Sequence, residues 1–382
     1  MSEYQYYEFQ ALDRALTEAE VRTLRSCSTR ASITSTRFVN HYEWGDFKGD
    51  PSAWMEEYFD AFLYLANWGT RELSLRLPRR VLAWETVKPY CCGQAASSRL
   101  ANGFVILDFL SQEEPDGEWD DGNGWLSALV PLRADLASGD HPVLYLAWLL
   151  CVQSGDLDND ATEPPIPPGL GELTAPLQAL TDFLRLDEDL VTVAAARSPK
   201  EPPSPSGREV QRWAAALSDK EKTDWLVRLA EGKEPHLRAE LLRHFRASQT
   251  GSPQSAEPTP RTVGELLAAA DQIAEERRRR EAEQAARERA RKEQEAREAR
   301  ARHLANLAKR EAEAWSLVDA LIATKQPGRY DEAVKLLCDL RDLHLEQGRP
   351  GDLEARLLQL RETHAKKPSF LERLKKAGLG EG

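Results

Sequence analysis

The chain has 382 residues, a net charge of −12, 41% hydrophobic residues and 30% charged residues. This length exceeds what one hydrophobic core usually organises, so we expect at least two structural units. No run of 18 apolar residues occurs, which excludes a transmembrane helix. The first residues lack the basic head and apolar core of an export signal, and the five cysteines form no CxxC pair. We therefore expect a cytoplasmic protein with reduced thiols and no membrane contact.

The negative charge is concentrated in the first half of the chain. Residues 1–190 contain 31 Asp and Glu against 14 Lys and Arg, whereas the remainder is neutral or slightly basic. An acidic surface repels a phosphate backbone. We therefore expect that residues 1–190 do not bind nucleic acid.

Residues 1–190 alternate between strand and helix patterns, without the regular rhythm of βαβ units. Aromatic residues and apolar–polar alternation indicate strands, and capping residues followed by helical apolar spacing indicate helices. In chain order the predicted elements are a strand at 3–11, a helix after Thr17, a strand at 33–44, a helix after Asp50, strands at 72–77 and 104–109, and helices at 125–137 and 141–153. This pattern predicts an α+β domain with helices on one face of a sheet, and with Glu72, Ser74 and Arg76 on a solvated side.

The middle of the chain is predicted to contain short helices between linkers. Residues 198–206 and 248–260 are rich in Pro and Ser, a composition typical of linkers. Three helices are predicted between them, at 207–217, 219–231 and 236–247. Their expected small core consists of Trp213, Leu217, Trp225, Leu229, Leu241 and Phe245.

A capping box of Thr262 and Glu265 opens the most regular segment. Between 275 and 302 the sequence is almost entirely Ala, Glu, Arg, Gln and Lys, and six Glu residues precede a Lys or Arg by four positions. This spacing supports a helix in water. Because no large apolar residue occurs there, a single solvated helix explains the segment better than a coiled-coil dimer. If 262–323 is one helix, it is about 90 Å long.

The last part of the chain is predicted to be a helical hairpin, with helices at 330–345 and around 353–360, followed by a helix after Pro368. An apolar stripe that includes Leu304 and Trp315 is expected to pack on it. The predicted organisation is an acidic α+β domain at 1–190, a Pro-rich linker at 191–206, a small helical segment at 207–247, a flexible linker at 248–261, a long charged helix at 262–323 and a helical hairpin domain at 324–382.

His41, Glu43 and Asp46 bring an imidazole and two carboxylates together near the end of a predicted strand. Alternate residues of a strand share a face, so His41 and Glu43 are expected side by side. A histidine beside a carboxylate can act as a general base, or bind a metal with further ligands. The favoured alternative is a strand exit with aromatic packing, because a lone histidine near acids is common.

Two loops carry alternate carboxylates, an arrangement that can bind Ca²⁺ or Mg²⁺. Neither loop has the Gly and Glu that an EF-hand requires at its sixth and twelfth positions, so solvated acidic loops are the favoured interpretation. The residues concerned are Asp116, Glu118, Asp120, Asp156, Asp158 and Asp160. No phosphate loop, HExxH, GxSxG or dinucleotide motif occurs, so we predict no cofactor.

Three further features leave alternatives open. Cys91 and Cys92 stand beside Gly93, and without a basic or His partner they are interpreted as inert thiols. The tryptophans of residues 1–190 are expected mainly in the core, although some could line a peptide-binding groove. The run Arg277–Arg280 suggests nucleic-acid contact, but the acids beside it favour a solvated helix face.

Four stretches together resemble an uncharacterised bacterial protein family, and the resemblance implies no activity. They are YQYYEFQALDR, FVNHYEWGDFKGDP, FLYLANWGTRELSLRLPRR and KPSFLERLKKAGL. The tail at 330–379 is also similar to the C-terminal tails of bacterial SWIM zinc-finger proteins. The Cys and His spacing of that finger is missing here, so the similarity implies no metal site and at most a shared partner.

The sequence thus predicts a non-enzymatic adaptor or scaffold that binds protein partners through its acidic domain and its C-terminal helices. The alternatives are a metal-assisted or His-based hydrolase in the N-terminal domain, and a nucleic-acid-associated component of a multi-protein complex.

Overall fold

The structure is a computed structural model that describes residues 3–113, 119–200, 205–232, 234–249 and 259–379. The chain divides into two compact units, Met1–Glu276 and Arg277–Gly382. The first contains an antiparallel sheet with helices and the second is helical, which confirms the predicted α+β domain followed by a mainly helical half. None of the helices in these ranges has both the length and the apolar composition needed to cross a bilayer.

The sheet of the first unit has seven described strands. They are β1 Gln5–Gln10, β2 Ser32–Ile33, β3 Arg37–Tyr42, β4 Ala61–Ala66, β5 Thr70–Pro78, β6 Ala96–Ala101 and β7 Phe104–Gln112. Their order is β2-β3-β1-β4-β5-β7-β6, and all neighbours are antiparallel. The aromatic strand β1 is therefore an interior strand, paired with β3 on one side and β4 on the other.

Helices of the first unit pack around this sheet. They are α1 Glu18–Cys27, α2 Pro51–Glu57, α3 Trp84–Val87, α4 Trp125–Leu129, α5 Pro131–Ser138, α6 Pro142–Gln153, α7 Ala175–Leu184, α8 Glu188–Ala195, α9 Gly207–Ala216, α10 Asp219–Glu231 and α11 Leu237–Gln249, with the start of α12 Val263–Ala308. Helix α6 is buried from Pro142 to Val152, as its continuous apolar sequence predicts.

Both faces of the sheet are covered, so the prediction of helices on one face is wrong. Leu63 and Leu75 belong to a core that also contains α6. Phe9 and Phe62 belong to a second core, which includes Trp54 of α2. Strand β4 is apolar at successive positions, and successive side chains point to opposite faces, so both faces need cover.

The predicted solvated side of β5 is also buried. Ser74 and Arg76 are inaccessible, and Glu72 is only partly exposed. Arg76 pairs at 2.8 Å with Asp60, which is completely buried. A charge leaves water only when it is paired, and alternation along one strand does not reveal a partner on another segment.

Arg76 and Asp60 belong to a buried ionic network that also includes Asp13, Arg133 and His236. Arg133 of α5 donates to both carboxylate oxygens of Asp13, at 2.7 and 2.6 Å. His236, which precedes α11, lies 3.1 Å from Asp13. The network therefore attaches α11 to the sheet and α5 within the first unit.

Helices α9 to α11 match the three short helices predicted from the sequence. The Ser218–Glu221 capping box and the left-handed Gly232 bound α10 as expected. Trp213 and Phe245 are buried, and their rings pack edge to face with a centroid distance of 5.5 Å. Leu229 is 67% exposed, so its predicted core position is wrong. No described residue of α10 is buried.

The long helix is shorter than predicted. Helix α12 ends at Ala308, and a new helix, α13 Glu311–Ala323, follows. At 1.5 Å per residue, the 46 residues of α12 extend about 70 Å. All residues from 275 to 299 are exposed, in agreement with a solvated helix. Ion pairs on this stretch include Arg279–Glu283 and Arg291–Glu295, which place the base first, unlike the predicted pairs.

The second unit consists of the end of α12, α13, α14 Pro327–Glu346, α15 Pro350–Thr363 and α16 Pro368–Lys376. Leu304, Trp315 and Val318 share one core with Leu337 and Phe370. The predicted docking of the apolar stripe on the terminal helices is thus confirmed. The turn at 309–310 redirects the chain, which brings α13 against α14.

Candidate functional site

Three chain segments meet at one end of the sheet. The antiparallel register aligns Gln5, the first residue of β1, with Tyr42 of β3 and with Ala66 of β4. Tyr4 donates its backbone N–H to the Asn67 side chain at 3.0 Å and accepts the Asn67 N–H at its own carbonyl. Residues just before β1, after β3 and after β4 are therefore neighbours.

Tyr4 is the centre of this end of the sheet. Its ring stacks on His41 with a centroid distance of 6.2 Å and lies 5.0 Å from the ring of Trp119. Its hydroxyl donates to the carbonyl of Asp121 at 2.8 Å. We use the name aromatic edge for the contacting rings of Tyr4, His41 and Trp119, together with Trp44, which follows β3, and Trp68, which follows β4, at the same end of the sheet.

The loop that carries Trp119 is held by its neighbours. Asp120 accepts hydrogen bonds from Arg71 at 3.0 Å and from the Trp125 indole. Gly122 has a φ of +79°, and a Cβ there would lie 2.6 Å from the Tyr6 ring, so only glycine fits. The residues that follow Trp119 in this loop are thus held against Arg71, Trp125 and Tyr6.

The tryptophans of the aromatic edge are unusually exposed. Trp44 is 80%, Trp119 69% and Trp68 47% accessible, and the Trp68 indole N–H donates to Thr70. Most tryptophan is largely buried in folded proteins, and clustered exposed aromatic surface marks interaction sites. The sequence missed this cluster, because nothing local distinguishes these residues from the buried Trp54 and Trp148.

The aromatic edge lies in a negative field. Glu43 and Asp121 are exposed. Burial raises the pKa of Tyr4, and the charges of Asp121, Asp120 and Glu43 raise it further. A cation over an aromatic face is attracted by the ring, and nearby carboxylates add to that attraction. The surface therefore suits a cationic group.

The structure divides the predicted residues His41, Glu43 and Asp46 between two faces. His41 stacks on Tyr4, and the charge of Glu43 acts on the same tyrosine. Asp46 instead lies 3.5 Å from the side-chain amide of Gln5. Gln5 and Tyr4 are consecutive and point to opposite faces of the strand. The histidine and Glu43 thus belong to the aromatic edge, and Asp46 lies behind it.

The predicted carboxylate loops do not converge in the described ranges. Asp116 and Glu118 lie outside the described residues. Asp120 is bonded to Arg71, and Asp156 accepts the backbone N–H of Ala95 at 2.7 Å. Asp158 and Asp160 are exposed. Among the residues that the structure describes, no three His, Cys, Asp or Glu side chains are arranged to hold a metal ion.

The run Arg277–Arg280 lies within the exposed part of α12. Arg279 pairs with Glu283 at 3.3 Å, one turn further along the helix. Nucleic-acid contact through this run stays a prediction.

A second carboxylate group was missed by the sequence. Glu72 of β5 is largely buried near Asp108 of β7, whose carboxylate accepts a hydrogen bond from Ser74 at 2.7 Å and pairs with Arg99. Burial and the charge of Asp108 together raise the pKa of Glu72 to about 7, against the opposing charge of Arg99. The folded protein therefore holds a proton on Glu72 that an unfolded chain releases near pH 4.5.

Replacement of Glu72 by glutamine is expected to stabilise the protein at high pH. Because the pKa is raised in the folded state, ionisation of Glu72 destabilises the fold as the pH rises from about 4.5 to 7. Glu72→Gln removes that ionisation and should raise the free energy of unfolding by about 1–3 kcal/mol at pH 8, and by much less at pH 5. Urea denaturation at the two pH values measures the difference.

The control is Glu57→Gln at an exposed position, which should change stability little at either pH. Equal effects of Glu72→Gln at pH 5 and pH 8 would contradict the prediction.

No family model matches the chain, and neither a curated protein nor a solved structure matches it. The resemblances noted from the sequence therefore stay predictions, and the arguments for function rest on the geometry.

Proposed function

We propose that the protein is a non-enzymatic adaptor in a bacterial cytoplasmic complex. In this proposal the aromatic edge binds a Lys- and Arg-rich segment of one protein, and the C-terminal helices bind a second protein. The observation that carries it is the exposure of Trp44 beside Glu43 and of Trp119 beside Asp120 and Asp121. Tryptophan and tyrosine supply much of the binding energy at protein interfaces once they are covered.

Charge selects the class of partner for the aromatic edge. Residues 1–190 carry an excess of acid, and Glu43 and Asp121 are exposed beside Tyr4. Complementary charge speeds association and disfavours partners of like charge. A basic protein segment is therefore favoured over nucleic acid or an acidic peptide.

The second unit supports a separate binding region. Its core is complete within the unit, because Leu337 and Phe370 are fully buried. Leu317, Leu345 and Leu358 are each more than half exposed, on α13, α14 and α15. The exposed stretch of α12 at 275–299 also supports an adaptor, since a single catalytic site has no use for it.

Trp119→Ala should weaken binding of a Lys- and Arg-rich peptide to the full chain at least tenfold. Removal of a tryptophan that anchors an interface weakens the free energy of binding by about 2 kcal/mol or more, which corresponds to more than a factor of ten in Kd. Glu43→Gln should weaken binding less and reduce its dependence on salt. Fluorescence titration of the full chain at two salt concentrations measures both effects.

Leu226→Ala, at an exposed position on α10, is the matched control and should leave the peptide Kd unchanged. Leu345→Ser should also leave the peptide Kd unchanged. When the full chain is used to capture proteins, however, this variant should fail to capture one of them, and that protein should differ from the partner of the aromatic edge. The proposal is wrong if the peptide binds equally well after acetylation of its lysines, or if duplex DNA or RNA binds more tightly than the peptide.

A further inference from the structure

Two cysteines that are far apart in sequence meet in the first unit. Cys92 is exposed in the turn between α3 and β6, and Cys151 is fully buried in the last turn of α6. The two side chains interact, and Gly93, the residue after Cys92, lies directly against the Cys151 sulfur. The Cys151 thiol also lies 3.7 Å from the carbonyl of Ala96, so the turn and the helix end are in contact.

Gly93 allows this close approach. A Cβ at Gly93 would lie 2.8 Å from the sulfur of Cys151 and would also collide with Asp156. The turn is closed by a hydrogen bond from the Gly93 N–H to the Ala96 carbonyl at 3.1 Å. Any larger residue at 93 would push the turn away from α6.

The two thiols have different chemical environments. The interaction with the Cys151 side chain lowers the pKa of Cys92 to about 7, against the opposing effects of burial and the Asp156 charge. The same interaction and burial raise the pKa of Cys151. Burial raises the pKa of the adjacent Cys91 to about 12. An exposed thiol with a lowered pKa therefore lies beside a buried thiol with a raised pKa, which differs from the inert pair of Cys91 and Cys92 expected from the sequence.

We propose that Cys92 and Cys151 form a redox site, in which a hydroperoxide oxidises Cys92 and Cys151 resolves the product to an intramolecular disulfide. The Cys92 sulfur attacks the peroxide, the O–O bond breaks, and an alcohol or water leaves, which yields a sulfenic acid. The Cys151 sulfur then attacks Cys92, the S–O bond breaks, and the hydroxide leaves as water with the Cys151 proton. Two thiols are oxidised by two electrons and one peroxide is reduced.

Treatment of the full chain with hydrogen peroxide tests this proposal. Peptide mass spectrometry without reductant should find Cys151 linked to the peptide that contains Cys92, and reductant should reverse the link. Cys91→Ala should retain the link, whereas Cys92→Ser should abolish it. Cys151→Ala should instead accumulate a sulfenic acid at Cys92 that reacts with dimedone. Gly93→Ala should slow cross-linking, because the turn moves away from Cys151.

Cys27 and Cys338, which are partly exposed, are the internal controls. Cys92 should be alkylated at least tenfold faster than Cys338 at pH 7, because the pKa of Cys92 is lowered whereas burial raises the pKa of Cys338. The proposal is overturned by a Cys91–Cys92 link in place of the Cys92–Cys151 link, by peroxide oxidation of Cys27 or Cys338 as fast as of Cys92, or by a Cys92 sulfenic acid that persists in the unsubstituted chain.

Discussion

Asp60→Ala is expected to lower the free energy of unfolding by about 3–5 kcal/mol, the range found when one partner of a buried ion pair is removed. Asp60 is completely buried and accepts hydrogen bonds from Arg76 at 2.8 and 3.2 Å. Its other oxygen accepts the backbone N–H groups of Leu12 and Asp13, at 2.7 and 2.9 Å. Alanine would leave all of these donors unpaired in the interior.

The other residues of the ionic network do not compensate for the loss of the Asp60 carboxylate. The Arg133 guanidinium lies 3.6 Å from Asp60 and donates to the carbonyl of Arg76 at 2.6 Å. Arg133 and His236 both contact Asp13. Without Asp60, Arg133 would retain its pair with Asp13, whereas Arg76 would lose its carboxylate partner in the interior.

Urea denaturation of the full chain measures the effect of Asp60→Ala. The matched control is Glu85→Ala, which removes an exposed ion pair with Arg79 at 3.5 Å. It should lower the free energy of unfolding by no more than about 1 kcal/mol. Joint replacement by Asp60→Leu and Arg76→Met should recover much of the stability, because apolar side chains leave no unpaired charge. Equal losses for Asp60→Ala and Glu85→Ala would contradict the argument.

Glu163→Ala is also expected to lower the free energy of unfolding by about 3–5 kcal/mol, because it removes a buried ion pair at the start of the long helix α12. Glu163 is buried and accepts hydrogen bonds from the Arg261 side chain at 2.6 and 2.9 Å, while the Tyr145 hydroxyl donates to it as well. Arg261 also donates to the carbonyl of Val193 at 3.1 Å. Arg261 immediately precedes Thr262, the first residue of the α12 capping box.

The Glu163–Arg261 pair therefore attaches the beginning of α12 to the first unit. Backbone hydrogen bonds continue the attachment, from Val263 to Ala161 and from Gly264 to Asn159, both at 2.9 Å. Loss of the pair should increase amide hydrogen exchange over residues 263–270, as well as reduce global stability.

Hydrogen exchange and urea denaturation of Glu163→Ala measure the two effects, and Thr262→Ala is the control. Thr262→Ala removes only the helix cap and should lower the free energy of unfolding by about 1 kcal/mol. Burial raises the pKa of Glu163, but the hydrogen bonds from Arg261 and Tyr145 outweigh it, so the net pKa is lowered. The stability from this pair is thus present above pH 4.5 and declines as the pH falls through the lowered pKa. Unchanged exchange over 263–270 in Glu163→Ala would refute the attachment.

The local signals of the sequence predicted helix starts well. The capping boxes at Thr17, Ser218 and Thr262 all form, because the partners are three residues apart and need no other part of the chain. The end of α12 was missed: nothing near Ala308 interrupts the helix pattern, and the turn at 309–310 follows from packing of α13 on α14.

The candidate site was predicted only in part. The sequence drew attention to His41 and Glu43, and both belong to the aromatic edge. It assigned the tryptophans mainly to the core and did not bring Tyr4, His41 and Trp119 together. Their meeting depends on the pairing of β1 with β3 and β4, and on a loop held by Arg71. Pairing between strands distant in sequence has no local signature.

By itself, the sequence determined the α+β class, the acidic first half and the solvated charged helix. Each of these follows from composition, or from contacts within about four residues. Only the tertiary structure decided which charges are buried together, which tryptophans face water, and which thiol lies beside Cys92. Those outcomes depend on long-range contacts, and the chemistry of a side chain depends on the partners and the water around it.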